Sequence, residues 1–196
     1  ECRLHRITYV GELGFEIYIP YNNLEKVFDV VYAKNGKSPV KLAGYHALNS
    51  LRMEKGYLHW GHDIGVEENP FEAGVGFCVN LNKKNPFLGQ EALEEKKKSG
   101  LSKRKVNFAL SNNDLLIYHN EPIYFDGKIV GEISSGMYGF YLDKSLGMGY
   151  ISNNDSYSIE EMMSHQKFEI EVAETKYSAE GSINCFYDPG REKILV

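Results

Sequence analysis

The sequence predicts an α+β fold, in which a part that mixes helices and strands is followed by a part built of short strands. Helical and strand-like patterns alternate before residue 100. After Lys103, short runs rich in β-branched and aromatic residues are separated by turn signals, as in a β-barrel or a β-sandwich. We therefore predict two domains, residues 1–100 and residues 101–196.

The first predicted element is a β-hairpin. Its strand-like runs, residues 3–10 and 15–19, are joined by the sequence GELG. If GELG forms the loop, Tyr9 lies opposite Glu16 and both side chains share one face, because side chains alternate along a strand. The other face then holds an apolar layer of three side chains, Phe15, Ile17 and Ile19.

Three helices and one further strand are predicted in the rest of the first domain. Residues 22–36 have asparagine cap candidates, apolar residues at helical spacing and a final glycine. A second helix is predicted over roughly 42–55, with Gly56 as its stop. The segment VGFCVNL, residues 75–81, is predicted as a mostly buried strand, and a short helix is predicted near 89–98.

The second domain contains five strand-like pieces, KVNFAL, EPIYFDGKIVGEIS, GMGYIS, KFEIEV and KYSAEGS. The dipeptide DG at 126–127 lies between two strand-like runs and predicts a tight hairpin. Residues 134–150 are aromatic and rich in glycine, and we predict a loop there. Such a loop either borders a ligand cleft or connects two strands.

Composition argues against several function classes. The formal net charge is −5 and no stripe of Lys and Arg with interleaved aromatic residues occurs, so nucleic acid is not expected as a partner. The three cysteines, Cys2, Cys78 and Cys185, show neither CxxC spacing nor Cys/His ligand spacing, so we expect reduced thiols. No apolar run approaches transmembrane length and no signal peptide is visible, so no membrane partner is expected.

Glu16 with Tyr9 is the first candidate site. A carboxylate can accept two parallel hydrogen bonds from an amide- or guanidine-like ring edge, and a tyrosine can add stacking area. An ordinary polar residue on an exposed face is the simpler interpretation of the hairpin alone. The second candidate, Arg52, suits a ligand carboxylate or phosphate, but also a structural bridge to Glu16, Glu54 or Asp63.

The segment HWGHD, residues 59–63, is a weaker candidate. Metal binding needs a third or fourth ligand at suitable spacing, and none is evident. A His–Asp pair for catalysis lacks a nucleophile, because Cys78 falls in the strand predicted as buried. A packed loop around Trp60 is therefore the favoured interpretation. No glycine motif of the dinucleotide-binding or P-loop type is present.

Several segments together resemble the folate-binding aminomethyltransferase family, whose simplest member is the T-protein of the glycine cleavage system. They are TYVGELGFEIYIP, AGYHALNSLRMEKGYLHWGHDI, NPFEAGVGFCVNL and FLGQEAL. The sequence is most similar to the C-terminal region of sarcosine and dimethylglycine dehydrogenases, which EKGYLHWGHD, PFLGQEALEEKKKSGL and the ending FYDPGREKILV also resemble. The resemblance covers essentially the whole chain.

The resemblance implies a three-lobed cloverleaf around tetrahydrofolate. Residues 1–40 would be the end of a ferredoxin-like lobe, residues 41–90 part of the central lobe, and residues 103–196 a C-terminal antiparallel β-barrel. In the family the hairpin carboxylate recognises the pterin, and Glu16 matches it. Tyr9 matches the accompanying tyrosine.

Arg52 matches an arginine that the family places near the folate. Tyr138, from the stretch 134–150, is added as a fourth candidate folate-binding residue. We assign no catalytic or metal-binding residue, because the family's catalytic Asp belongs to a part of the folate module that precedes the segment matching Glu1. The chain starts without Met in strand-like sequence, and we expect it to be a piece of a longer protein.

The implied function is that of the tetrahydrofolate-binding piece of a sarcosine or dimethylglycine dehydrogenase-like enzyme. FAD in an upstream domain would oxidise an N-methyl amine, and tetrahydrofolate would accept the one-carbon unit. We expect this piece alone to be inactive. The alternatives are a stand-alone aminomethyltransferase and a non-catalytic regulatory subunit like that of pyruvate dehydrogenase phosphatase. The expected location is the bacterial cytoplasm or, in a eukaryote, the mitochondrial matrix.

Overall fold

The computed structural model describes residues 1–32, 40–112 and 114–195. The first part holds a two-stranded ribbon and three helices: β1 (Arg3–His5), β2 (Glu16–Tyr18), α1 (Leu24–Tyr32), α2 (Tyr45–Glu54) and α3 (Gln90–Ser99). The second part holds six strands and a helix: β3 (Lys103–Leu110), β4 (Pro122–Phe125), β5 (Lys128–Gly139), β6 (Lys144–Ser152), α4 (Ile159–His165), β7 (Phe168–Val172) and β8 (Thr175–Ser182). No helix within the described ranges is long and apolar enough to cross a membrane.

The six strands of the second part close into an antiparallel barrel in the order β3-β6-β5-β4-β7-β8. The α+β class and the C-terminal barrel are thereby confirmed. The DG turn is confirmed as well, since Asp126 and Gly127 have φ angles of 49° and 80°, as a type I′ hairpin turn requires. The helix α4 was not predicted.

The barrel interior is filled by apolar residues of alternating strand positions. Along β3 the interior positions are Val106, Phe108 and Leu110, all fully buried. The positions between them face outward, where Ala109 forms a second cluster with Met53 of α2 and with Leu146 and Met148 of β6. The helix α2 therefore packs on the outer wall of the barrel.

The predicted hairpin register is wrong. Glu16 pairs with His5, not with Tyr9, and the whole connection 6–15 lies outside the two short strands. Gly11 in this connection has a φ of 76° and lies against the side chain of Lys55, where a Cβ would stand 2.0 Å from Cγ. Contacts with α2 and the segment after it thus hold the connection away from the strand ladder.

The helices of the first part match the predictions better. α2 begins three residues later than predicted and stops at Gly56, whose φ of 64° ends the helix. α3 is confirmed. α1 ends at Tyr32 in the described part of the chain, and its predicted end at Gly36 lies outside the described residues.

Two predictions from apolar or glycine-rich stretches are wrong. Residues 75–81 form turns around a short 3₁₀ helix, Gly76–Cys78, and Phe77 is 72% exposed. The run is apolar, but no strand within residues 1–32, 40–112 and 114–195 pairs with it. The alternative of a tight connection between two barrel strands is confirmed at residues 140–143, but residues 134–150 are not a loop throughout, since most of them belong to β5 and β6. Their glycines allow close packing, because a Cβ on Gly136 would lie 2.2 Å from the carbonyl oxygen of Ile117.

The segment after β8 returns to the first part of the chain. The Tyr187 hydroxyl donates to Glu12 Oε1 at 2.6 Å, and Lys55 Nζ forms an ion pair with Asp188 Oδ2 at 2.7 Å. Farther along, Arg6 Nη2 donates to the carbonyl oxygen of Ile194 at 3.4 Å. The C-terminal segment therefore holds the 6–15 connection against α2.

Candidate functional site

Arg52 lies in the last turn of α2 and is almost completely buried. Its Nη1 donates to Asp63 Oδ2 at 2.7 Å and to the carbonyl oxygen of Tyr57 at 3.1 Å, and its Nε donates to Asn49 Oδ1 at 2.7 Å. Of the structural partners that the sequence left open, Asp63 is the one that pairs with Arg52. The arginine therefore fixes the segment that follows α2.

Asp63 is the centre of that segment. Its carboxylate accepts from the His59 backbone N–H at 2.8 Å and from Ser134 Oγ of β5 at 2.5 Å, in addition to Arg52. Its carbonyl oxygen accepts from the Tyr150 hydroxyl at 2.8 Å. The loop is thus packed around Asp63, and the prediction that it packs around Trp60 is wrong, since Trp60 is 69% exposed.

The histidines of the same loop stack on each other. The ring centroids of His59 and His62 are 4.5 Å apart, with 8° between the ring planes. Within the described ranges, no group of three or more His, Cys, Asp or Glu side chains is arranged to hold a metal ion.

Tyr9 lies beside the start of this segment. Its hydroxyl donates to the carbonyl oxygen of Leu58 at 2.9 Å, and its ring stacks on Tyr57 with 6.3 Å between centroids. Partial burial raises the pKa of Tyr9 above its ordinary value, although the positive charge of Arg52 opposes this. Tyr9 and Arg52 therefore hold the backbone of adjacent residues.

Glu16 lies on the ribbon and is half-buried. Its Oε2 accepts from the Tyr18 hydroxyl at 2.6 Å, and this hydrogen bond raises the pKa of Tyr18. Tyr18 in turn contacts the ring of His5, with centroids 5.0 Å apart. The second carboxylate oxygen of Glu16 has no hydrogen-bond partner among the described residues.

Tyr138 lies in β5 and contacts α2 through its backbone, where its carbonyl oxygen accepts from Ser50 Oγ at 2.6 Å. Its hydroxyl donates to Asp143 Oδ1 at 2.5 Å, and this hydrogen bond raises the pKa of Tyr138. Glu54 holds the same β-turn, since its Oε1 accepts from the backbone N–H groups of Tyr141 and Leu142. The hydroxyl group of Tyr138 is therefore used in a hydrogen bond within the β5–β6 turn.

Two cavities lie next to these residues. Tyr9 lines one of about 490 Å³ between the 6–15 connection, the end of α2 and the barrel. Arg52 lines another of about 410 Å³, together with residues that include Tyr45, His46, His59, His62 and His119. Glu16 and Tyr138 line neither. The structure thus brings two of the four candidates to one segment, and leaves the other two apart.

Sequence reasoning missed Lys105, which also lines the larger cavity. This lysine is 6% exposed, and burial lowers its pKa to about 8. The available signal was alternation along KVNFAL, which puts Lys105 on the same outward face as Asn107. The prediction for Cys78 was also wrong, because Cys78 was expected to be buried and is exposed.

Comparison with known families agrees with this architecture. The model of the GCVT N-terminal domain matches residues 1–83, and that of the glycine cleavage T-protein C-terminal barrel domain matches residues 103–188. The second match contains all six barrel strands. The exact division at residue 100 stays a prediction.

Several relatives align with nearly the whole chain. The 4-methylaminobutanoate oxidase (formaldehyde-forming) of Paenarthrobacter nicotinovorans is 36% identical over 96% of this chain and 22% of its own length. Human mitochondrial sarcosine dehydrogenase is 33% identical over 98% of this chain and 21% of its own length. The mouse mitochondrial pyruvate dehydrogenase phosphatase regulatory subunit is 33% identical over 97% and 23%. The chain spans about a fifth of the length of these relatives.

A solved structure shares the fold. The crystal structure of glycine cleavage system aminomethyltransferase T from Bartonella henselae superposes with a TM-score of 0.78 at 24% identity, covering 95% of this chain and 49% of that one. The two family matches in chain order and the relatives show that this chain belongs to the glycine cleavage T-protein family of aminomethyltransferases and related dehydrogenases.

Proposed function

We propose that the chain is the tetrahydrofolate-binding piece of an enzyme that oxidises an N-methyl amine, of the sarcosine or dimethylglycine dehydrogenase kind. The observation that carries the proposal is the match to both T-protein family models, in order, in a chain whose relatives include sarcosine dehydrogenase. Because another relative is named for 4-methylaminobutanoate, the amine is proposed as a class only.

Glu16 is the proposed pterin-binding residue. One of its carboxylate oxygens is held by Tyr18, which fixes the side chain, and the other is open to accept from an N–H edge of the ring. A carboxylate fixed by a neighbour loses less conformational freedom on binding than a mobile one. This supports Glu16 as a preorganised acceptor.

The other three candidates have different proposed roles. Tyr9 offers a ring face at a cavity of about 490 Å³, which is in the range of small-molecule sites. Arg52 already makes three hydrogen bonds within the chain, so its proposed role is to position the loop beside the folate. Tyr138 would act through the β5–β6 turn that its hydroxyl holds.

Tetrahydrofolate, when bound, would supply the nitrogen atoms that take up the one-carbon unit. The residues of this chain would bind and orient it, and orientation alone can lower a barrier substantially. FAD would belong to a further domain of the whole protein. The proposed compartment is the bacterial cytoplasm or the mitochondrial matrix.

The test is a titration of the full-length protein with 5-formyltetrahydrofolate. We expect Glu16→Gln to weaken binding by at least about tenfold, because the amide replaces a charge-assisted acceptor. Glu171→Gln is the matched control, since Glu171 accepts from the Tyr124 hydroxyl at 2.8 Å on the barrel. An unchanged affinity of Glu16→Gln for 5-formyltetrahydrofolate would refute the role assigned to Glu16.

A second candidate function, a non-catalytic regulatory subunit, is favoured by the similarity to the phosphatase regulatory subunit. The two candidates differ in amine oxidation. We expect the purified full-length protein to reduce an artificial electron acceptor when N-methyl amines are added. Folate binding with no oxidation of any N-methyl amine would favour the regulatory role.

A further inference from the structure

The cavity of about 490 Å³ beside Tyr9 is lined by positively charged side chains, and none of the described residues that line it is an acid. Among the described residues that line it, the charged side chains are Lys55, Lys105 and Arg191. Lys55 is neutralised by Asp188 at 2.7 Å, and Arg191 lies over the ring of Phe77 at 5.0 Å. Lys105 is thus the lining cation that is both buried and without an acidic partner in the described part of the chain.

The contacts of Lys105 are weak substitutes for a counter-ion. Its Nζ donates to Asn107 Oδ1 at 3.0 Å and lies 3.9 Å from Met148 Sδ. An ammonium group has three N–H donors, and a thioether sulfur is a poor acceptor. At least one donor is therefore left for a molecule in the cavity.

The acid near Lys105, Asp63, forms its hydrogen bonds with other residues. Asp63 acts on Lys105 only at a distance, since its carboxylate is bonded to Arg52, His59 and Ser134. Arg104 adds a repelling positive charge. Cys185, the remaining titratable neighbour, donates its thiol to the carbonyl oxygen of Tyr187 at 3.2 Å. A buried cation without a counter-ion is costly, and a bound anion removes that cost.

We propose that this cavity is a carboxylate-binding site in which the Lys105 ammonium group supplies the counter-charge. The aromatic rings of Tyr9 and Tyr57 and the side chains of Leu58 and Ile64 form apolar walls around it. Such a lining suits a small organic acid better than a free inorganic ion. A free amino acid and the glutamate tail of a folate both carry the required carboxylate, and only the second source rests on the proposed function.

Carboxylate binding has a defined pH dependence. The anion prefers the charged amine, so affinity is greatest below the pKa of Lys105, about 8, and falls as the pH rises through it. By linkage, a bound carboxylate raises that pKa. Asp63, Arg104 and Cys185 act electrostatically on Lys105, and the other charged or titratable groups that line its cavity are Lys55, Arg191, Tyr9 and Tyr57.

The test is NMR on the 196-residue chain, following backbone amides of the cavity residues Gly56 and Cys185 and the Cε resonance of Lys105. The probes are acetate and N-methylglycine as free acids, and folate against its dimethyl ester, in which both carboxylates of the glutamate tail are blocked. We expect carboxylates to shift the cavity amides, and to raise the pKa of Lys105 by about half a unit or more. Lys105→Met should weaken this binding at least tenfold.

Lys128→Met is the charge-matched control, because Lys128 is exposed on the barrel, where its Nζ donates to Ser156 Oγ at 2.8 Å. Binding of acetate identifies free acids as the source, and binding of folate but not of its dimethyl ester or acetate identifies the glutamate tail. Equal acetate affinity in wild type and Lys105→Met, or no shift with any carboxylate, overturns the site. Glu16→Gln separates the two proposals, since it should affect the folate arm and leave acetate binding unchanged.

Discussion

Arg52 and Asp63 form an ion pair at 2.7 Å in which both side chains are almost completely buried, at 3% and 0% exposure. The pair joins the last turn of α2 to the loop after it, and Ser134 extends the connection to the barrel. A buried pair is strongly coupled to the fold because neither charge can be solvated if the other is removed.

The first prediction concerns this pair. Arg52→Met leaves the Asp63 carboxylate buried without a counter-ion, and we expect it to lower the free energy of unfolding by about 3–5 kcal/mol. Asp63→Asn combined with Arg52→Met should cost less than the sum of the single changes. Urea unfolding measures all three. A single-variant loss below about 1 kcal/mol contradicts the coupling.

The second prediction is a pH dependence of stability. Lys105 has a pKa of about 8 in the folded chain, below the ordinary lysine value of about 10.4 in the unfolded chain. Between these values the unfolded state binds more protons, so stability should rise with pH from 8 to 10. Lys105→Met should be more stable than wild type at pH 7, and the difference should shrink near pH 10. Urea titrations at pH 7, 8.5 and 10 test this, and a constant difference would contradict it.

The third prediction concerns a glycine of the barrel. Gly136→Ala places a methyl group 2.2 Å from the carbonyl oxygen of Ile117, so backbone must move, and we expect a loss of at least about 2 kcal/mol. Gly190→Ala is the control, because the nearest atom to its added Cβ is 3.7 Å away. Thermal unfolding compares the two variants, and equal midpoints would refute the close approach.

The fourth prediction concerns the cysteines. Cys2 and Cys78 are exposed, whereas Cys185 is half-buried and its pKa is raised by burial. Because the thiolate is the reacting form, N-ethylmaleimide should modify Cys185 at least about tenfold more slowly than the other two. Peptide mass spectrometry over a time course measures the modification rate of each cysteine. Fast modification of Cys185 in the folded chain would contradict it.

The sequence was sufficient to predict elements whose signal is local. The DG turn and α3 follow from turn chemistry and periodicity over a few residues, and the structure confirms both. The spaced strand signals predicted a β-barrel or a β-sandwich, and the family resemblance implied the barrel that the structure shows. The helix α4 was missed although Ser158 and Glu161 form a capping box, because only seven residues follow the cap.

Elements that depend on distant contacts were not predictable. Tyr9 was assigned to the ladder opposite Glu16, but its hydroxyl and ring bind Leu58 and Tyr57, which no local pattern reveals. Residues 75–81 look like a buried strand, yet no strand in the described part of the chain pairs with them. For the candidate site, residue type and resemblance identified Arg52. They did not reveal that the guanidinium group of Arg52 is paired with Asp63.

The side chain of Lys55 links three stretches that are far apart in the chain. Its stem packs under Gly11, and its amine reaches Asp188, 133 residues away. Contacts this distant form slowly, because a long loop must close before the contact stabilises anything. The Lys55–Asp188 ion pair therefore cannot form during synthesis until residue 188 has left the ribosome, long after Gly11 and Lys55 have done so.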